Sequence, residues 1–69
     1  MTKQILKREM MRLTNGASVI SERKLSQFLS LGQEKTKKLF EGLERLDVGN
    51  RQVLFIDDVA DRLQERIIR

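Results

Sequence analysis

The side chains able to do chemistry in this sequence are lysines, arginines, carboxylates and a few amides. Among its 69 residues there is no histidine and no cysteine. That excludes zinc fingers, disulfides, and the imidazole and thiolate arrangements behind most acid–base and covalent catalysis. The carboxylates form no site either. Asp57 and Asp58 are neighbours, and adjacent helix positions point apart. Asp61 adds a third acid but no glycine-centred calcium loop. Gly32, Gly42 and Gly49 make no phosphate-cradling pattern. The expectation is no catalytic residue, no metal ligand and no cofactor. What remains is cationic and amide chemistry at two places. Gln33, Lys35, Lys37 and Lys38 put three ammonium groups within four residues. Asn50, Arg51 and Gln52 set a guanidinium between two amides, and Arg23 and Lys24 add two cations upstream. Such groups neutralise phosphates and hydrogen-bond base edges, so the expected partner is duplex DNA.

The charge distribution agrees. The net charge is +4. Residues 1–20 carry Lys3, Lys7, Arg8 and Arg12 against Glu9 alone. Residues 21–42 carry five cations against Glu22, Glu34 and Glu41. Residues 43–69 carry five arginines against six acids. A polyanion is therefore expected to approach the N-terminal two-thirds. No apolar run approaches the ~20 residues of a membrane span, and no long apolar stretch follows the basic residues near the start, as a secretory signal requires. A cytoplasmic, nucleoid-associated protein is expected. At this length one domain with a small core is expected, burying about 60% of the surface its unfolded chain exposes.

The elements that must hold these residues can be read from periodicity. Leu25, Phe28 and Leu29 share one helical face, and Thr36, Leu39, Phe40 and Leu43 share another. The spacing predicts helices over Glu22–Leu29 and Gln33–Leu43, capped by Ser21 and joined by Ser30-Leu31-Gly32. Gly32 supplies conformational freedom at the turn and Leu31 plugs the angle between the helices. This is a helix-turn-helix over residues 21–43. Upstream, Thr2 caps a helix over Lys3–Leu13 with Ile5, Leu6, Met10 and Leu13 as its stripe, and Lys3, Gln4, Lys7, Arg8 and Arg12 opposite. Met11 lies off the stripe. Thr14-Asn15-Gly16 ends that helix, so residues 1–16 form an N-terminal unit that packs on the domain or serves as an arm for DNA or a second copy.

After the helix pair, Gly49-Asn50 reads as a two-residue hairpin turn with glycine first. Pairing outward sets Val48 opposite Arg51, Asp47 opposite Gln52 and Leu46 opposite Val53. Leu46, Val48, Val53 and Phe55 then share a face, expected to be the buried one. Leu54 breaks the alternation and pairs against Val19–Ile20 as a third strand. The hairpin occupies residues 44–56. Asp57 caps a last helix over Asp58–Ile68, within 57–69, whose apolar face is Val59, Ala60, Leu63 and Ile67. The fold expected is mainly α with a small β-hairpin, a winged helix-turn-helix in the order α-(β)-α-turn-α-β-β-α.

The runs FLSLGQEKTKKLFEG and VGNRQVLFIDDVADRL resemble the small winged-helix excisionases of phages and conjugative transposons, within the MerR-like winged helix-turn-helix domains. The likeness covers about Ile20–Ile67. It rests on the Leu31-Gly32 turn, the lysine-rich second helix and the Gly49-Asn50-Arg51 wing tip. The resemblance implies a recombination directionality factor that bends DNA beside attachment sites to assist an integrase. It puts Gln33 to Lys38 in the major groove and Asn50 to Gln52 at the wing contact. The N-terminal helix lies outside that pattern and is a candidate for self-association on DNA. An integrase would meet a surface away from DNA, with the helix at Asp58–Arg69 the candidate on charge. A MerR-like transcriptional regulator of a mobile element is the alternative. A protein-interaction module without DNA binding is the alternative from another class.

Overall fold

Hydroxyl side chains set where the first two helices begin. Thr2 Oγ1 accepts from the Ile5 N–H at 3.3 Å and Ser21 Oγ from the Lys24 N–H at 3.2 Å, each satisfying one amide the helix start leaves open. The computed structural model describes residues 2–66. Their order is α1 (Lys3–Leu13), β1 (Val19–Ser21), α2 (Glu22–Leu29), α3 (Gln33–Leu39), β2 (Arg45–Val48), β3 (Arg51–Phe55) and α4 (Ile56–Arg66). The architecture is mainly helical with a three-stranded antiparallel sheet of order β1-β3-β2.

The turn at Gly49-Asn50 forms as expected, with Gly49 at φ +69°. It fixes the register Val48↔Arg51, Asp47↔Gln52 and Leu46↔Val53. The third strand also forms as expected, with Ile20 opposite Leu54. The buried face is the other one. Leu54 and Ile20 are fully covered, whereas Leu46 is 45% and Val48 47% exposed. Both sides of the hairpin carry apolar residues, and the helices cover the side of Leu54 and Ile20. Val53 is buried on the opposite side, outside the main core.

That core joins Leu6, Met10, Ile20, Leu25, Phe40, Leu54, Ile56, Val59 and Ala60. α1 packs on α4, so the N-terminal helix completes the domain. Only Leu6 and Met10 of its expected stripe are buried. Ile5 is 41% and Leu13 46% exposed. Met11 is exposed, as expected off the stripe. Lys3 and Lys7 turn toward α4, pairing with Asp61 at 2.8 Å and Asp57 at 2.6 Å, rather than lining the outer side. The hydrogen bond from Lys7 holds the Asp57 carboxyl below the usual carboxylate value. The hydrogen bond to Asp61 raises the Lys3 ammonium above its ordinary value. Asp57 is thus inside the first turn of α4 rather than its cap, because the helix starts directly from β3 at Ile56. Ile67, Ile68 and Arg69, expected in the last helix, lie outside the described residues.

The link between α2 and α3 also departs from expectation. Ser30, not Gly32, takes the left-handed conformation, at φ 57° and ψ 37°. Gly32 is extended at φ −68° and ψ 160° and stands as the cap of α3. Leu31 is half-buried and its carbonyl accepts from Ser26 Oγ at 2.5 Å. α3 stops at Leu39, four residues before the expected Leu43. Phe40 swings into the core as the C-cap. Thr36 fills a fully buried position, where its hydroxyl donates to the Gly32 carbonyl at 3.0 Å.

Candidate nucleic-acid interface

The inner face of the sheet changes character from core to tip. Ile20 and Leu54 lie in the apolar core. Arg45, opposite Leu54, comes next. Asp47 and Gln52 follow, both exposed, and then the turn. The outer half of this face and α3 enclose an open cleft of about 680 Å³ lined by Ser21, Glu22, Arg23, Gln33, Lys37, Asp47, Asn50, Arg51 and Gln52. Six of the nine residues singled out in the sequence, Arg23, Gln33, Lys37, Asn50, Arg51 and Gln52, therefore border one space. Lys38 lines an adjoining hollow of about 530 Å³ that shares Lys37 and Gln52 with the first and includes Glu34, Glu41 and Arg45.

Two candidates fall elsewhere. Lys35 lines neither space, because two positions along a helix are about 160° apart around its axis, and Lys37 is the one that faces the hairpin. Lys24 lies beyond β1, bordering a smaller hollow shared with Ser21, Arg51 and Val53. Its ammonium reaches the Leu13 carbonyl at 3.5 Å. The three lysines of α3 thus divide between two flanks rather than forming a single row.

Ion pairing separates the cations into two groups. Lys3, Lys7, Arg12, Arg45 and Arg62 each pair with a carboxylate. Among the described residues, Arg8, Arg23, Lys24, Lys35, Lys37, Lys38, Arg51 and Arg66 enter no ion pair. All eight are exposed. The cations at the cleft are thus available to an external anion, while those on α1 facing α4 are engaged internally. Asp57 and Asp61 are engaged in the same seam, and among the described residues Asp58, in the first turn of α4, enters no ion pair.

Two arginines that the sequence did not single out hold the frame. Arg45 pairs with Glu22 at 2.5 Å, tying β2 to the first residue of α2. Arg62 donates to the carbonyls of Leu39 at 2.9 Å and Glu41 at 3.1 Å. It occupies acceptors at the end of α3, where a cation also complements the helix dipole. Arg45 pairs with Leu54 one step beyond the expected register. Nothing local marked Arg62, whose partners lie 21 and 23 residues away. Among the described residues, no group of three or more potential metal-ligating side chains occurs, and no helix is long and apolar enough to cross a membrane. Neither protein-family models, curated proteins nor solved structures give a match to this chain.

Proposed function

We propose that this chain is a winged helix-turn-helix protein that binds duplex DNA sequence-selectively, as an excisionase-type factor that positions and bends DNA near attachment sites. In this reading α2 and α3 are the helix-turn-helix and the hairpin of β2 and β3 is the wing. The observation that carries it is the shared cleft, where Gln33 and Lys37 of α3 meet Asn50, Arg51 and Gln52 of the hairpin tip. The cations around it have no carboxylate partner within the described chain. α3 is about 10 Å long at 1.5 Å per residue, or roughly three base-pair rises. So short a helix reads few base pairs, and the tip must supply a second contact to fix orientation. Gln33 suits an adenine edge, and Arg51 suits a phosphate or a narrow minor groove.

The test is titration of a duplex from the element's own ends at several salt concentrations. Four unpaired cations, Arg23, Lys37, Lys38 and Arg51, line the cleft and the hollow beside it. If each meets one phosphate, log K falls with log[salt] at a slope near −3.6, about a 150-fold loss between 50 and 200 mM. A flat response refutes DNA binding and leaves a protein-interaction module. Excision assays with the cognate integrase, with and without the protein, test the architectural role. Binding without any effect on excision leaves a transcriptional regulator.

A further inference from the structure

Arg45 and Glu22 occupy an unusual place. Both side chains are only 21% exposed, and they meet at 2.5 Å between the apolar core and the open cleft. Glu22 lines the cleft and Arg45 lines the hollow next to it. A half-buried ion pair contributes little net stability over a well-packed apolar pair, because both charges lose hydration. Folding alone gives weak reason for charges here. The electrostatics of the cleft give a stronger one. Two carboxylates line it, Glu22 and Asp47. Glu22 is also the first residue of α2, where a negative charge favours the helix dipole. An acid that suits the helix thus sits where a polyanion would be repelled.

We infer that Arg45 is a positioning residue that screens Glu22 from the cleft, so that the cleft accepts a polyanion. The inference rests on the DNA-binding reading. It places Arg45 behind the contact surface: its guanidinium is spent on Glu22 and touches no phosphate. Removing it exposes a carboxylate to the bound backbone. Removing the carboxylate as well restores the charge balance.

The experiment is a double-mutant cycle on the full chain, using Arg45→Met, Glu22→Gln and the combination. Duplex affinity is read by fluorescence anisotropy across salt, with melting curves to establish folding. Arg45→Met is expected to weaken binding about tenfold through the uncompensated charge. Glu22→Gln binds as tightly as the parent or tighter. The double variant returns to within about twofold of Glu22→Gln, since the two residues act through one another. The salt slope stays unchanged in all three. An equal loss from Arg45→Met in both backgrounds, with a slope shallower by about 0.9, overturns the inference by making Arg45 a direct phosphate contact. Parent-like affinity in folded Arg45→Met overturns it too, while leaving the DNA-binding reading intact. If Arg45→Met does not fold, Arg45→Gln takes its place in the cycle: a loss that Glu22→Gln relieves supports screening, and an equal loss in both backgrounds overturns it. A parent chain that binds no duplex removes the reading and this inference together.

Discussion

Lys35 and Lys37 are two residues apart on the same short helix and both exposed, yet the structure assigns them different surroundings. Lys37 borders both the cleft and the adjoining hollow, and Lys35 borders neither. Replacing each with alanine removes one charge from an exposed helix position, where stability changes stay within about 0.5 kcal/mol. Lys37 lies in the last turn of α3, so its removal also forfeits a small dipole term of about 0.3–1 kcal/mol at most. Folding therefore does not confound the comparison. On the DNA-binding proposal, four phosphates neutralised by the parent give a salt slope near −3.6; Lys37→Ala is expected to bring it to about −2.7 and Lys35→Ala to leave it unchanged. Between 50 and 200 mM salt the affinity loss is then about 150-fold for the parent and Lys35→Ala, and only about 40-fold for Lys37→Ala. The assay is anisotropy of a labelled duplex at five or so salt concentrations. Equal slopes for the two variants would refute the reasoning. They would mean that α3 meets the polyanion as diffuse charge, or not at all.

Two other outcomes are expected. Arg62→Met removes two hydrogen bonds from a guanidinium to the end of α3, and should cost about 2 kcal/mol, or roughly 8–16 °C in thermal midpoint for a domain this size; an unchanged midpoint would mean that Arg62 does not hold α3. At the seam of α1 and α4, Asp57 titrates below its ordinary 3.8 because Lys7 hydrogen-bonds it, so its stabilisation is present above that value and is lost as pH falls through the depressed one. Lys3 titrates above 10.5 through Asp61, so its contribution holds below 10.5 and disappears as pH rises through the raised value. Thermal melts across the acid range should therefore fall less steeply for Asp57→Asn than for the parent, and superimposable acid profiles would count against the Lys7 contact.

Local chemistry made several elements readable. The caps at Thr2 and Ser21 and the glycine-first turn at Gly49 act within a few residues, so α1, α2 and the hairpin register follow from sequence. Long-range covering decided the rest. Leu46, Val48, Val53 and Phe55 alternate as a buried strand face should, but which side is covered depends on β1 and the helices. α3 ends at Leu39 because Phe40 turns into the core and Arg62 takes the carbonyls of Leu39 and Glu41. Neither event leaves a mark near the helix end. Of the candidate site, six residues come to one cleft because the hairpin, α2 and α3 border the same space. Lys35 borders neither space because it lies about 160° around the helix axis from Lys37.

The Arg45–Glu22 tie and the Arg62 bonds have a mechanical consequence for the proposed role. They brace the hairpin from one side and α3 from the other, so the spacing between their tips is set before any ligand arrives. A stiff caliper does not adjust to what it grips. On the DNA reading the duplex must supply the compliance, and sites of equal base content would then be ranked by how readily their intervening steps, TA or CA above all, give way.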